Sequence, residues 1–311
     1  MKAGRIHRFG PPEVVVIDEI PRPELGDGEL VVQTAFAGVA PWDALIRERK
    51  SVVNVKLPLI LGSDLSGIVV SVGNGVTNYK PGDAIYGVTN KDFCGAYAEY
   101  ALVSASMVAP KPRSLSFAEA ASAPVVAVTA WQMLFEYAQL QSGQSVLIHG
   151  AAGNVGAYAV QLARRAGLKI FATAGPDDLD HVQRAGTVIN YKTDKFEDLV
   201  PSVDAVMDMI GGETQQRSIA VLKPGGILVS VVSPFPKDTP VPSGIRTAFF
   251  LVDVTTARLN MLTQWFEAGE LVPAVGAVLP LEEARRANEM LAGLPHPKGK
   301  ILLRMPNFAE P

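Results

Sequence analysis

The sequence predicts an α/β chain in two parts, a β-rich irregular one and a doubly wound parallel sheet covered by helices. Three observations predict it. Residues 1 to about 118 carry short apolar runs broken by Pro and Gly. From residue 119 onward, strand-like runs alternate with helical periods, which implies a parallel sheet with both faces covered. Between them, residues 145–167 (SVLIHGAAGNVGAYAVQLARRAG) read as a buried strand, a small-residue turn and a helix.

In the first part, residues 14–17, 29–34 and 67–72 are strand-like runs bounded by Pro21, Pro23, Gly26, Gly28, Gly73 and Gly75. Residues 79–83 form a turn in which Pro81 presets φ and Gly82 takes positive φ without steric cost. Strands are expected again at 84–86 and 96–101. Ser116 with Glu119 three residues on is a capping box, and the helical region it opens is interrupted at Pro124 and resumes through Trp131 to Ala138. Alternation follows: strand 169–174, helix about 177–185, strand 187–190, strand 204–208, helix 215–222 and strand 226–232. A strand at 249–252, helices at 255–268 and 281–291, and a strand at 300–303 complete the chain. The doubly wound domain is read as 119–256, with 257–311 returning to complete the domain begun by 1–118.

The central turn carries chemistry. It reads Gly150-Ala151-Ala152-Gly153-Asn154-Val155-Gly156, an A-x-G-x-x-G form of the dinucleotide fingerprint with Ala151 in place of the first glycine. Gly153 lets the backbone approach a pyrophosphate, which rests on the positive end of the helix, and Gly156 lets that helix pack closely on the strand. Ala152, Gly153, Asn154, Val155 and Gly156 are therefore candidate cofactor-binding residues. An NAD-selective site places an acid at the end of the second strand, about 20 residues on, to bond the ribose 2′-hydroxyl. That strand ends in Thr173-Ala174, themselves candidate cofactor-binding residues by their place at the strand end, with no acid, which favours NADPH over NADH. Asp177 and Asp178 follow Pro176 and suit a helix start.

Composition narrows the function class. The 311 residues are 48% hydrophobic and 19% charged with net charge −3, a globular composition without the basic field that nucleic acid or an anionic membrane calls for. No run approaches the ~18 apolar residues of a membrane span, and MKAGRIHRFGPPE lacks the apolar core of a secretory signal. A cytoplasmic protein is the expectation. The single cysteine, Cys94, excludes an intrachain disulfide and a multi-thiolate zinc site, and with no basic neighbour in sequence it reads as inert.

Further segments recur in order: Gly62-Ser63-Asp64-Leu65-Ser66-Gly67, Lys80-Pro81-Gly82-Asp83 and Gly95-Ala96-Tyr97-Ala98-Glu99-Tyr100 before the turn. Ile189-Asn190-Tyr191-Lys192, Gly211-Gly212-Glu213, Leu222-Lys223-Pro224-Gly225-Gly226 and Lys298-Gly299-Lys300-Ile301 come after it. Together they resemble the zinc-free quinone oxidoreductase (zeta-crystallin-like) branch of the medium-chain dehydrogenase/reductase superfamily, over nearly the whole chain. The resemblance implies a GroES-like catalytic domain plus a Rossmann domain, hydride transfer from NADPH to a quinone or α,β-unsaturated carbonyl, a small-molecule substrate and a homodimer. The competing readings are an enoyl reductase for a carrier-bound or polyketide intermediate and a low-turnover NADPH-binding structural or sensing protein.

By match to the family, Thr129, Val232 and Ser233 flank the nicotinamide end, and Tyr191 and Lys192 the adenosine end. Phe249 and Phe250 could wall the nicotinamide, but adjacent strand residues face opposite ways, so one of them belongs to the core. Ala40-Pro41-Trp42-Asp43 matches a segment that often has Asn where Ala40 stands. Trp42, Asp43, Arg47 and Phe93 are substrate-pocket candidates, with Asp43 and Arg47 favoured as an ordinary i,i+4 ion pair. Zinc-dependent relatives carry Cys and Gly-His-Glu where this chain has Ala40 and Gly62-Ser63-Asp64. The four histidines, His7, His149, His181 and His296, are scattered, so no zinc is expected, and His149 reads as a hydrogen-bonded core residue.

Overall fold

The computed structural model describes residues 1–178, 182 and 186–309. Its contacts divide the chain into two units, Met1–Val125 with Val254–Pro311, and Val126–Asp253.

The first unit begins with β1 (Lys2–Ile6), β2 (Val15–Glu19), β3 (Glu29–Val39), β4 (Leu59–Ile60), β5 (Asp64–Val72), β6 (Ala84–Val88), β7 (Tyr100–Ser104) and β8 (Val108–Pro110). A short antiparallel sheet has the order β2-β1-β4. The strand expected at 96–101 begins only at Tyr100, because the chain before it is spent on burying Tyr97. That ring lies so close to Gly62 that a Cβ there would stand 2.2 Å from its Cδ1. The helix Phe117–Ser122 carries the expected capping box: Glu119 N–H donates to Ser116 Oγ (3.2 Å) and Ser116 N–H to the Glu119 carboxylate (2.8 Å). Its place in the first unit is held by Ser66 Oγ, which donates to Phe117 O at 2.6 Å.

The helix Pro124–Trp131 carries the chain from the first unit into the second and continues as a π-helical stretch, Gln132–Tyr137. Then come β9 (Ser145–Ile148), the helix Asn154–Arg165, β10 (Lys169–Ala174), β11 (Thr187–Asn190), β12 (Val203–Asp208), the helix Gly212–Arg217, β13 (Leu222–Ser230) and β14 (Arg246–Phe249). All neighbouring pairs are parallel, in the order β11-β10-β9-β12-β13-β14. This is the doubly wound Rossmann order, two mononucleotide-binding halves meeting at β9 and β12. β9 is buried at all four positions, as its apolar run requires. The helix expected at about 177–185 falls mostly outside the described residues, and its first two positions belong to a 3₁₀ turn, Pro176–Asp178. The helix expected at 215–222 is instead Gly212–Arg217 followed by a 3₁₀ turn, Ser218–Val221.

The tail returns to the first unit through the helix Thr256–Glu267, capped by Thr255, then β15 (Val275–Pro280), the helix Ala284–Leu291 and β16 (Lys300–Arg304). The larger sheet runs β15-β16-β3-β5-β6-β8, with β7 also on β3, giving the GroES-like fold. β15 was not legible in sequence: residues 275–280 carry too few polar alternations to mark a strand. It forms because it lies parallel to the apolar β16. The cores are separate in composition, with Ile6, Leu30, Leu65, Ile85 and Leu303 in the first unit and Leu147, Val206, Ile219 and Leu228 in the second.

Candidate active site

In an open parallel sheet, ligands bind outside the carboxyl ends of the strands where the strand order reverses. Here that point is the end of β9, beside β10 and β12. The chain leaves β9 through His149, whose N–H donates to Met207 O at 3.0 Å, and turns at Gly150 with φ +71°. Two amides of the turn are held by one residue: Gly150 N–H donates to Thr173 Oγ1 (3.4 Å) and Ala151 N–H to Thr173 O (3.1 Å). Gly153 N–H closes back on Gly150 O at 3.0 Å, and the helix then starts with Gly153 at its N-cap and no capping side chain.

This geometry fits a nucleotide diphosphate. The first helical amides have no side-chain acceptor at the cap, and the exposed Gly153 leaves them uncovered. Gly156 is the close-packing glycine: a Cβ there would stand 2.2 Å from Gly150 O and 2.7 Å from Ala151 Cα. Ala152, Asn154 and Val155 are half-buried around the same opening.

Other candidates divide. Tyr191 is exposed beside the end of β10, where its ring carbon Cε1 would lie 3.5 Å from a Cβ on Gly175, and Lys192 beside it is exposed as well. Tyr191 N–H donates to Ala174 O at 3.2 Å, which ties the chain after β11 to the end of β10. Thr173 is buried, and its hydroxyl is engaged inside the fold by His149 and Gly150. Val232 is exposed next to Gly211, and Ser233 O accepts from Gln215 Nε2 at 2.9 Å. Thr129 is buried within the helix Pro124–Trp131. Phe249 is exposed at the end of β14, whereas Phe250 is buried and stacked on Tyr137 with centroids 4.2 Å apart. Phe250 is therefore a core residue, and of the two adjacent aromatics only Phe249 is available to a ligand.

Sequence reasoning missed the turn after β12. Asp208 is fully buried, and its Oδ1 accepts from Ile210 N–H (3.0 Å) and Gly211 N–H (2.8 Å). It thus shapes the second loop at the strand-order reversal and leaves Ile210 exposed against Gly150. The signal was present as Asp-x-x-Gly, an Asx-turn pattern directly after a strand.

The substrate-pocket candidates lie in the first unit. Trp42 and Phe93 are half-buried and meet edge to face at 6.3 Å. Asp43 is fully buried in the short helix Pro41–Arg47, where its Oδ2 accepts from Tyr97 Oη (2.7 Å) and Ala40 N–H (2.9 Å). The expected Asp43–Arg47 ion pair does not form. Arg47, also buried, donates to Asn288 Oδ1, Gly10 O and Glu48 Oε1 instead, because its guanidinium turns away from the helix start. Both side chains are engaged in holding the fold. Cys94 is half-buried, and burial pushes its thiol up to about 11, so it is not a thiolate at neutral pH.

Two buried groups give opposite pH signatures. Burial pulls His149 down to about 4, with the Asp208 and Glu197 carboxylates opposing and Arg217 assisting. Its unfolded form takes a proton near pH 6.5, so stability is full above that value and is lost as pH falls toward 4. Burial pushes Asp43 up to about 6, against the Tyr97 hydroxyl, the Ala40 amide and Lys300, and with Asp64. Its native form therefore holds a proton that the unfolded chain releases, and stability rises as pH falls from 6 toward ~3.9. Each slope is at most about 1.4 kcal/mol per pH unit, so the two offset one another between pH 6 and 4.5. Asp43→Asn should expose the histidine's acid loss as a steeper fall of urea-unfolding stability in that window. An unchanged pH profile in the variant would contradict it.

No three His, Cys, Asp or Glu side chains among the described residues are grouped to hold a metal ion. The places matched to the zinc-dependent segments are Ala40, which has no donor atom, Ser63, a buried serine where the histidine would stand, and Asp64, whose carboxylate is engaged by Lys300 Nζ (2.8 Å) and Val125 N–H (2.8 Å). His7 contacts Asp18 (2.7 Å), His149 is internal to the second unit, and His181 lies outside the described residues.

Comparison with known proteins agrees with this architecture. The alcohol dehydrogenase GroES-like domain family matches residues 26–113 and the zinc-binding dehydrogenase family residues 183–303. The quinone oxidoreductase of Rattus norvegicus is 30% identical, covering 97% of this chain and 97% of that protein. The 2-methylene-furan-3-one reductase of Solanum lycopersicum is 32% identical over 88% of this chain and 71% of that protein. Among solved structures, the quinone oxidoreductase from Coxiella burnetii superposes with TM-score 0.88 at 31% identity, covering 98% and 99% of the two chains. The Escherichia coli quinone oxidoreductase complexed with NADPH superposes with TM-score 0.85 at 26% identity, covering 98% and 100%. With the Rossmann strand order, the open glycine turn and the GroES-like unit already in place, full-length relatedness at this level settles the family: the chain belongs to the quinone oxidoreductase branch of the medium-chain dehydrogenase/reductase superfamily of oxidoreductases.

Proposed function

We propose that the protein is a zinc-independent reductase that uses NADPH to reduce a quinone or an α,β-unsaturated carbonyl compound. The observation that carries this reading is the uncapped helix start at Gly153, packed against β9 by Gly156, at the strand-order reversal of a parallel sheet. The amides from Asn154 to Gly156 hold the diphosphate, Tyr191 and Lys192 the adenosine ribose, and Thr129, Val232, Ser233 and Phe249 the nicotinamide end. When bound, the nucleotide supplies a hydride. The absence of an acid at the end of β10 supports NADPH, since no carboxylate from that strand repels a 2′-phosphate, and the Escherichia coli neighbour was solved with that nucleotide. Zinc independence rests on the donor set: Ala40 offers no ligand, Ser63 stands where the histidine would be, and Asp64 is committed to Lys300.

Trp42 and Phe93 form the apolar wall for the acceptor's ring or alkene. A conjugated acceptor suits a site without a metal, because reduction at its β-carbon moves charge onto an oxygen that hydrogen-bond donors and water can accommodate. A homodimer and residence in the cytoplasm complete the proposal.

The test is a spectrophotometric screen of NADPH and NADH oxidation with quinones, alkenals and cyclic enones. Turnover of at least one class with KM for NADPH at least tenfold below that for NADH is expected. A tenfold preference for NADH would reverse the choice of cofactor. Nucleotide binding without turnover of any acceptor would replace the enzyme reading with a binding module.

A further inference from the structure

His149 ends the central strand, is 1% exposed, and bonds at both ring nitrogens. The directions of these bonds can be worked out. Ser218 Oγ donates its only proton to Thr214 O at 2.6 Å. Facing His149 Nε2 at 2.9 Å, the same oxygen can then only accept, so Nε2 carries the ring proton. Nδ1 is left as an acceptor, and the hydroxyl that reaches it is Thr173 Oγ1 at 3.1 Å. With its proton given to the histidine, Thr173 Oγ1 has lone pairs left for Gly150 N–H at 3.4 Å, while Thr173 O takes Ala151 N–H at 3.1 Å.

The result is a one-way chain. It runs from the Gly150 amide to Thr173, from Thr173 to His149, from His149 to Ser218, and from Ser218 to the Thr214 carbonyl. Every donor in it has one acceptor. It ties β10, β9 and the helix Gly212–Arg217 to the turn that carries the open amides. The ring is held in place on its other side by the edge of Phe196, with centroids 4.7 Å apart. With Ser218 donating to Thr214 O, the other tautomer would leave the buried Nε2 without a donor, so that one bond sets the direction of the rest.

We infer that His149, as the neutral Nε2–H tautomer, is a positioning residue that acts through Thr173 to hold the Gly150–Ala151 turn, and thereby sets the protein's affinity for the nucleotide diphosphate. The inference rests on the proposed placement of that diphosphate at the start of the helix Asn154–Arg165. It also reassigns Thr173, whose side chain serves the turn from behind and does not face the ligand. A hydroxyl is required at 173 by the chain's direction, whereas the methyl group is not.

The test measures NADPH affinity by isothermal calorimetry, together with steady-state kinetics, in the full-length protein at 20 °C. Thr173→Val should raise both Kd and KM for NADPH about tenfold, the size of one well-made hydrogen bond, with kcat within about twofold. Thr173→Ser, which keeps the hydroxyl, should return both to within about threefold of the parent. A loss that was only structural would lower thermal stability without this split between KM and kcat and without the serine rescue. Thr173→Val binding NADPH as tightly as the parent, while Gly153→Val loses it, would overturn the inference and leave the diphosphate placement standing. Gly153→Val binding as tightly as the parent would instead remove the placement itself. Should Thr173→Val fail to fold, the ¹⁵N spectrum of the parent's His149 decides: the Nε2–H tautomer is expected, and the Nδ1–H form refutes the chain.

Discussion

Gly156→Ala should remove nucleotide binding and thermal stability together, whereas Gly153→Val should remove binding and leave the fold standing. The added methyl at position 156 would sit 2.2 Å from Gly150 O, 2.7 Å from Ala151 Cα and 2.9 Å from Ala151 C. All three are backbone atoms of a turn anchored by Thr173, so no side chain can swing away to make room. The helix must move off β9, at a cost of about 3 kcal/mol, near the upper end for overpacking. At position 153 the only neighbour within reach is Gly150 O at 3.3 Å, and the backbone there, φ −75° and ψ 170°, is one that any residue adopts. Valine is therefore accommodated by the fold, but its branches stand over the open amides. Nucleotide Kd should rise on the order of a hundredfold, equivalent to about 3 kcal/mol of binding. Urea unfolding and calorimetric titration of both variants check the contrast. Equal losses of stability in the two would contradict it.

Lys300→Met should destabilise the first unit by about 3–5 kcal/mol, the usual loss when one partner of a buried ion pair is removed. Lys300 Nζ lies 2.8 Å from Asp64 Oδ2, and the side chains are 2% and 0% exposed. Around them the packing is tight: a Cβ on Gly38 would meet Asp64 Cβ and Lys300 Cε, each at 2.8 Å. The carboxylate left behind would have neither water nor a countercharge at bonding distance. Asp64 has a second task, since its Oδ1 accepts the Val125 N–H at 2.8 Å. Asp64→Asn keeps that acceptor and removes the charge. The double variant Asp64→Asn with Lys300→Met should therefore recover most of the stability lost by Lys300→Met alone. A double variant as unstable as the single one would show that packing of the lysine stem, and not the stranded charge, sets the loss. Chemical unfolding followed by intrinsic fluorescence measures all three.

Much of the second unit could be read in advance because its central strands, β9 and β12, are buried on both faces and the helix Asn154–Arg165 on one. Such segments write their periodicity directly into local sequence, and β10 and β11 end where the residue pattern says they do. The phosphate turn was legible for a related reason. Close approach of backbone to backbone tolerates only glycine, so the Gly156 contact leaves a mark in sequence that no other residue type can replace. Ser116 and Glu119, bonded to one another three residues apart, were equally visible.

What the local sequence could not carry were pairings between distant residues. The i,i+4 spacing of Asp43 and Arg47 suggested an ion pair. Burial instead offered Asp43 the hydroxyl of Tyr97 and Arg47 the amide of Asn288, 241 residues away. Phe249 and Phe250 looked equivalent until Tyr137 claimed the second. Thr173 read as a ligand contact by its place at a strand end, yet His149 and Gly150 use its hydroxyl from the inner side. By itself the sequence determined which segments bury which faces and where the backbone needs glycine, because those demands act over a few residues. Only the tertiary structure decided which buried polar groups satisfy one another, because a hydrogen-bond partner is chosen by proximity in space among groups that chain order leaves far apart.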